Sequence, residues 1–464
     1  MNTITLDSIT RAKHQLSIVY FFNDYRFEVS LWYEGVDLLE LENKYGKEYL
    51  EWIYFHIAAF EFNKLISLKP EQVDFGCYQK YCTEDFFTLW TSIQHKVWAQ
   101  WRYENNIPHY KEPTLAHDYA KSEDVPAKVS NDIGTTEVLV FCGGGKDSLV
   151  SARIFETLDI PYASFVYSSS IYGTAQKQHR IIDGLLNGLK PAKIHRQYVY
   201  DSFVDCPILD LDASIQSASL TAAETPSSIF ASLPLILSEG YQYIALGHEK
   251  SANVGNLIWD VTGEDVNHQW GKSYAAEVMI NSYIKNCLVD NFHYFSILQP
   301  IYDVLIFNLL RESLDLVEHT HSCNIDKPWC KKCPKCAYVW LNYMAYLPTS
   351  IVNEMFGEVN LFDIEENQIW FKQMLGLGEH TPFECIGQIE ESRLAFHICK
   401  KKGLQGKALE LYDDFKDIDF QKIAIHFTAV DDQQTGYPDK WKRQILRRMN
   451  EVSATSVEYI ARYF

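Results

Sequence analysis

One stretch near the middle of the chain restricts its fold more than any other: VLVFCGGGKDSLV, residues 138–150. Apolar residues typical of a buried strand lead into three glycines, and a segment with helical character follows at once. Glycines let the backbone approach an anion closely, and the first N–H groups of a helix have no partner within the helix. A strand, a glycine loop and a helix N-terminus in this order predict a phosphate-binding site.

The segments around this stretch alternate between strand-like and helix-like patterns. In chain order they are the strand VLVFC, the helix DSLVSARIFETL, the strand YASFVY, the helix AQKQHRIIDGLL, the strand HRQYVY, the helix SIFASLPLILSEG and the strand YIALG. Such alternation predicts an α/β fold in which helices cover a parallel sheet.

The flanking regions differ in pattern, and we predict three domains. Residues 1–125 form an N-terminal α+β domain, with strands QLSIVYFFN and YRFEVSLWYEG joined as a hairpin and two largely apolar helices after them. Its expected role is recognition of the substrate or formation of a homodimer. The polar residues 111–135 suit a linker, residues 126–320 carry the glycine loop, and residues 321–464 form a mainly helical C-terminal domain.

Charge and hydropathy exclude several classes of partner. The net charge of −19 repels nucleic acid, and the basic segment DKWKRQILRR is typical of a solvated helix face. No apolar run reaches the roughly 20 residues that span a membrane, and the first residues do not resemble a signal peptide. We therefore expect a cytoplasmic protein with neither nucleic acid nor membrane as a partner.

Four of the 11 cysteines are clustered in SCNIDKPWCKKCPKC. Cys323, Cys330, Cys333 and Cys336 follow a C-x6-C-x2-C-x2-C spacing. In a reducing compartment, four thiolates at short spacing predict a closed tetrahedral zinc site, with a redox dithiol as the alternative. A closed site has no open position for water, so the zinc would be structural.

The spacing of the glycine loop separates it from two common nucleotide loops. A Walker loop needs four residues between its first glycine and Gly-Lys, and the dinucleotide fingerprint needs three spaced glycines. The loop instead resembles the Ser-Gly-Gly-x-Asp-Ser loop (PP-loop) of the ATP pyrophosphatases, with Gly143 in place of the first serine. This resemblance implies binding of ATP by Gly143, Gly144, Gly145, Lys146, Asp147 and Ser148.

Two further strand ends are expected at the same edge of the sheet, where open parallel sheets bind ligands. Gly247 and Lys250 lie just beyond a strand in YIALGHEKSANVGN, and Ser168 lies in VYSSSIYG, after the second strand. In such folds this edge contacts the nucleotide, so Ser168 and Gly247 are further candidates for ATP binding.

The order of several motifs narrows the family. GGGKDSLV, EKSA, GEDVNHQWGKSYAAE, WCKKCPKC and HTPFECIGQIEESR follow one another between residues 139 and 393. Together they resemble the UDP-N-acetylmuramoyl-L-alanyl-L-glutamate epimerases (MurL-like). The resemblance implies an ATP- and Mg²⁺-dependent isomerase that adenylates the terminal L-Glu of a UDP-linked muramoyl dipeptide, or of a related peptide, and inverts its Cα. AMP and pyrophosphate are released, and the product supplies D-Glu for peptidoglycan.

Inversion of a carbon centre requires groups that remove and return a proton. His268 is a candidate because histidine is a common general acid and base, and Cys385 is a second because it could act as a thiolate if its pKa is lowered. Lys146, Asp147 and Lys250 are the other candidate catalytic residues, at the phosphate or at the activated carboxylate. The alternative is an adenylating ligase or nitrile-forming enzyme like the cyano-deazaguanine synthases, whose zinc site this chain also resembles.

Overall fold

The computed structural model describes residues 2–205, 223–415 and 418–464. A ten-stranded sheet, in the order β12-β9-β6-β7-β8-β3-β2-β1-β4-β5, runs through the molecule, and β10 and β11 form a separate hairpin. The strands are β1 Thr3–Ala12, β2 Gln15–Phe22, β3 Tyr25–Tyr33, β4 Gln72–Asp74, β5 Thr114–Leu115, β6 Val138–Phe141, β7 Tyr162–Ser169, β8 Lys193–Asp201, β9 Tyr243–Leu246, β10 Leu257–Trp259, β11 Glu264–Val266 and β12 His293–Ser296.

The five strands from β12 to β8 are parallel, as the alternating pattern predicts. β6 lies between β7 and β9, so the chain builds the sheet outward from β6 in one direction and later in the other. The carboxyl ends of β6 and β9 therefore lie at the topological switch point, where open α/β sheets form their ligand crevice. The glycine loop follows β6, and Gly247 follows β9.

The N-terminal strands continue the same sheet. β2 and β3 form the predicted hairpin around Asn23 and Asp24, and β3 pairs antiparallel with β8. β1 was not predicted. Of its residues only Ile4 and Leu6 are buried, so the alternation of apolar and polar residues that marks a strand is short. The boundaries at 125 and 320 stay predictions, since sheet and core both extend across the first of them.

Helices cover both faces of the sheet and form the part after residue 321. They are α1 Leu38–Tyr45, α2 Lys47–Glu61, α3 Glu84–Val97, α4 Ala99–Glu104, α5 Lys146–Thr157, α6 Ala175–Leu186, α7 Glu224–Ala231, α8 Leu233–Glu239, α9 Tyr274–Tyr283, α10 Asp303–Leu310, α11 Leu314–Val317, α12 Pro334–Tyr346, α13 Thr349–Phe356, α14 Glu365–Met374, α15 Ile389–Lys401, α16 Phe420–Thr428 and α17 Asp439–Ile460. Short 3₁₀ segments, among them Phe62–Leu68 and Lys250–Asn253, connect these elements.

Alternation along β6 separates two cores. Val138 and Val140 contribute to the core that contains α5, α10 and α12, whereas Leu139 contributes to the core that contains the N-terminal helices. Successive side chains of a strand point to opposite faces, so a strand buried on both sides reads as a continuous apolar run. Within the described residues, we find no helix with the length and apolar character needed to cross a membrane.

Candidate functional site

The glycine loop lies between the end of β6 and the first turn of α5. Gly144 has a φ of +80°, and a Cβ added there would lie 2.4 Å from Nε2 of His321. Only glycine suits both the positive φ and this close approach. The N–H of Gly143 donates to Ser148 Oγ at 3.0 Å, so the serine hydroxyl closes the loop onto the helix.

His321 faces the loop from the segment that leads to the cysteine cluster. Its backbone N–H donates to the carbonyl of Gly144 at 3.0 Å. Its Nε2 is buried and has no hydrogen-bond partner, while Nδ1 lies 3.2 Å from Nζ of Lys327. A buried polar atom without a partner is rare in folded proteins, and here it lies beside a loop suited to an anion.

Lys146 points away from the loop into the interior. Its Nζ donates to Asp303 Oδ1 at 2.5 Å and to Asp147 Oδ1 at 2.6 Å, and it lies 5.2 Å from the ring centroid of Phe307. Asp303 also accepts a hydrogen bond from the hydroxyl of Tyr338 at 2.9 Å. The lysine predicted at the phosphate is thus held in a buried ion pair.

The remaining nucleotide-binding candidates lie in three different environments. A Cβ on Gly247 would lie 2.7 Å from Ser151 Oγ, so this glycine allows β9 to end tightly against α5. Ser168 is buried and bonds to His179 Nε2 and to the carbonyl of Gln197. Lys250 donates to Asp431 Oδ2 at 2.7 Å. Their predicted contacts with a nucleotide stay predictions.

Cys385 has the electrostatic surroundings of a reactive thiol. Lys272 Nζ donates to its Sγ at 2.7 Å, and Lys335 Nζ donates to its backbone carbonyl. Burial raises the pKa of this thiol, but the two ammonium groups and a hydrogen bond with His268 outweigh burial and lower the pKa of Cys385 to about 6. Burial in turn disfavours the charge of Lys272, yet Cys385 and Glu249 raise the pKa of Lys272 above its ordinary value.

His268 lies next to this thiol. Ring nitrogen of His268, Sγ of Cys385 and a carboxylate oxygen of Glu384 lie within 4.8 Å of one another. The ammonium of Lys272, 2.7 Å from Sγ, disfavours a cation at this position by charge repulsion. The cluster is therefore better suited to stabilising negative charge.

One cavity of about 240 Å³ joins these groups to the glycine loop. It is lined by Gly143, Gly145, Asp147, Ser148, Tyr172, Glu224, Thr225, His268, Gln269, Gly271, Lys272, His321, Ser322, Asn324, Lys327, Lys335 and Cys385. The glycine loop and a thiol of lowered pKa thus lie along the same cavity.

The four clustered cysteines lie close enough to bind one ion. Their sulfurs lie within 4.8 Å of one another, with 3.9 Å between Cys323 and Cys333 and 3.8 Å between Cys330 and Cys336. With Zn–S bonds of about 2.3 Å, the sulfurs of a tetrahedral site are about 3.8 Å apart. The cluster could therefore hold a zinc ion. Pro334, expected in a tight turn, is the first residue of α12.

Several lining residues were missed from the sequence. Lys327 and Lys335 stand between or beside the cysteines, and His321 precedes them by two residues. The basic residues placed between the cysteines were the feature of the sequence that could have indicated these contacts with the cavity. Tyr172 and Glu224 had no such signal; they form a hydrogen bond of 2.5 Å across the opposite wall.

Fold and site together define an α/β protein with a glycine loop at the switch point of a parallel sheet. Two family models match it: the MurL N-terminal domain over residues 225–297 and the MurL C-terminal domain over residues 318–411. The first range contains His268 and Lys272, and the second contains the four cysteines and Cys385. The glycine loop lies outside both ranges.

Curated relatives agree with these models. Three proteins named UDP-N-acetyl-alpha-D-muramoyl-L-alanyl-L-glutamate epimerase are similar to the chain. The one from Micromonospora sp. is 27% identical over 67% of this chain and 66% of its own length. The protein from Salinispora tropica is 26% identical over 67% of this chain and 65% of its own length. The protein from Xanthomonas oryzae pv. oryzae is 28% identical over 56% of this chain and 56% of its own length. The chain is thus similar to these proteins, and the similarity spans less than two thirds of their length.

Proposed function

We propose that this protein is an ATP-dependent epimerase that converts the terminal L-Glu of UDP-MurNAc-L-Ala-L-Glu, or of a related muramoyl peptide, to D-Glu for peptidoglycan. The observation that carries the proposal is the shared cavity, which contains both the glycine loop and the Lys272–Cys385 pair. The names of the relatives supply the substrate class.

The first step activates the carboxylate at the glycine loop. A carboxylate oxygen of the substrate bonds to the α-phosphorus of ATP, and the bond from that phosphorus to the pyrophosphate oxygen breaks. The N-terminus of α5, Nε2 of His321 and the ammonium of Lys327 are the groups of the chain that would hold the leaving pyrophosphate. Asp147 would help to hold Mg²⁺, which neutralises phosphate charge during such a transfer.

The second step moves a proton at the neighbouring carbon. A Cα–H next to a free carboxylate is a very weak acid, because the negative carboxylate disfavours a second negative charge at Cα. Adenylation removes the carboxylate charge and so makes the Cα–H more acidic. Cys385, as a thiolate, takes the proton and becomes a thiol, while Lys272 and Lys335 stabilise negative charge in the cavity. A solvent molecule then gives a proton to the opposite face of Cα, which inverts the centre, and water hydrolyses the acyl–phosphate bond to release AMP and the free acid.

The distance between the two proton-transfer candidates determines how they can cooperate. The sequence suggested that His268 and Cys385 flank Cα on opposite sides. Within 4.8 Å of each other, and joined by a hydrogen bond, they leave no room for a carbon between them. We therefore assign both to the same face of Cα, with Cys385 as the group that touches the carbon-bound proton and His268 as its hydrogen-bond partner.

The test is an incubation with UDP-MurNAc-L-Ala-L-Glu, ATP and Mg²⁺ in D₂O. Deuterium at Cα of Glu, with release of AMP and pyrophosphate, is the expected result. A stable amide or nitrile product would instead support the ligase-type alternative, and absence of exchange would reject the epimerase.

Two variants separate the steps of the reaction. Ser148→Ala should abolish AMP formation, because it opens the loop. Cys385→Ser should still form AMP, since the activated carboxylate can be hydrolysed, but should lose deuterium incorporation. Loss of both activities in Cys385→Ser would contradict its assignment to the proton-transfer step.

A further inference from the structure

The N-terminal region reaches the proposed site through α4. Arg102 on this helix donates to both carboxylate oxygens of Glu264, at 2.6 and 2.7 Å, and is buried. Tyr103 contacts the ring of Trp259 on one side and that of Phe383 on the other. α4 therefore packs against both segments that carry the cluster, the one before His268 and the one before Cys385.

One residue of α4 touches the cluster itself. Oε1 of the buried Gln100 lies 2.6 Å from Nδ1 of His268, and Nε2 of Gln100 donates to Glu104 Oε1 at 3.1 Å. A carboxylate accepts hydrogen bonds, so Glu104 directs the NH₂ group of the amide toward itself. The carbonyl oxygen of Gln100 is then directed at His268, and an amide oxygen can only accept. Nδ1 must therefore carry the ring proton.

We propose that Gln100, oriented by Glu104, is a positioning residue that keeps a proton on Nδ1 of His268, so that Nε2 is the nitrogen that exchanges a proton with Cys385: when protonated it donates to the thiolate, and when unprotonated it accepts from the thiol. This inference rests on the proposed function. A ring hydrogen-bonded at one nitrogen has its tautomer and orientation fixed, which is how general bases are commonly held. The N-terminal region thus has a role beyond recognition or dimerisation, because it completes the proton-transfer cluster.

Several titratable and charged groups surround His268. The titratable and charged side chains nearby are Glu104, His380, Lys272, Lys335, Glu384 and Cys385. Replacing neutral Gln100 with Glu would add a negative charge next to Nδ1–H, and an opposite charge at hydrogen-bond distance favours the protonated ring. The acid limb of the activity profile should then move to higher pH.

The tautomer can be measured without substrate. In protein labelled with ¹⁵N-histidine, with His268→Asn used for assignment, we expect Nδ1 of the wild-type ring to stay protonated and Nε2 to be the nitrogen that loses its proton as the pH rises. Gln100→Leu should lose this preference, and Gln100→Glu should keep it. A wild-type neutral ring protonated at Nε2 alone, or an unchanged spectrum in Gln100→Leu, would overturn the proposal.

Exchange of the Glu Cα proton gives the second readout. Gln100→Leu should lower its rate by about 10- to 100-fold, a part of what a general base contributes. Gln100→Glu should restore much of the rate with a shifted pH profile, whereas an unshifted profile would contradict the assignment. Gln94→Leu, the same change at another buried glutamine of the region, is the matched control and should leave the rate unchanged. A protonated Nδ1 without any exchange in the wild type would reject the proposed function and leave the tautomer assignment standing.

Discussion

Lys272 Nζ and Cys385 Sγ lie 2.7 Å apart although 113 residues separate them in the chain. Neither side chain is unusual alone, since a buried thiol is ordinarily inert and a buried lysine is ordinarily driven toward its neutral form. Together they form an ion pair in a cavity that the glycine loop also lines. The chemical character of the site thus depends on this pair.

The first prediction concerns the charge of the thiol. Its pKa of about 6 makes Cys385 mostly thiolate at pH 7, and protonation should suppress alkylation only below that value. Lys272→Met removes the largest of the charges that lower the pKa of Cys385, whereas burial still raises it. The pKa of Cys385 should therefore rise, and its alkylation rate at pH 7 should fall by about 10-fold or more. Mass spectrometry of the Cys385 peptide across pH measures this, with exposed Cys77 as the internal reference and Lys407→Met as the control. Equal rates in Lys272→Met and wild type would contradict it.

The second prediction concerns the shape of the glycine loop. Gly144→Ala places a Cβ at a positive φ and against His321, so we expect a loss of about 1–3 kcal/mol in the free energy of unfolding, together with weaker ATP binding. Gly143→Ala is the matched control for stability, because no atom lies within 4 Å of its Cβ position. Thermal unfolding and calorimetric titration with ATP measure the two effects, and similar stability of the two variants would argue against a strained loop.

Local sequence patterns were sufficient for the parts of the fold that are themselves local. The run VLVF and the glycines after it specify a strand, a loop and a helix within 20 residues, and α6 has the bounds its pattern predicts. The shared edge of the sheet also followed from these elements, because the glycine loop and Gly247 both come just after parallel strands.

Contacts between distant segments were not predictable in this way. The pairs Gln100–His268 and Lys146–Asp303 are separated by 168 and 157 residues, and a polar residue on a helix does not reveal its partner. The pairing of β3 with β8 was not predictable either, because the residue pattern of a strand does not show whether it lies at the edge of a sheet or pairs with a further strand. The role of Gln100 could therefore emerge only from the assembled structure.

The third prediction links the cysteine cluster to the cavity. We expect about one zinc per chain by elemental analysis. Cys333→Ser should lower both the unfolding temperature and the affinity for ATP, because the segment that carries the cluster also supplies His321, Lys327 and Lys335 to the cavity. Cys77→Ser, at an exposed site, should change neither. A zinc-free protein of full stability would show that the cluster has another use.

The last prediction tests whether Lys146 stabilises the fold through its ion pair with Asp303 or binds the phosphate of ATP. Lys146→Met leaves Asp303 buried without its ion-pair partner, which should cost about 3–5 kcal/mol in urea unfolding. Adding Asp303→Asn removes the stranded charge and keeps an acceptor for Tyr338, so the double variant should recover about 2 kcal/mol or more. Lys80→Met breaks an exposed pair with Glu51 and should cost no more than about 1 kcal/mol. If Lys146→Met were as stable as Lys80→Met and only raised the KM for ATP, the ammonium would have to reach the phosphate instead of pairing with Asp303.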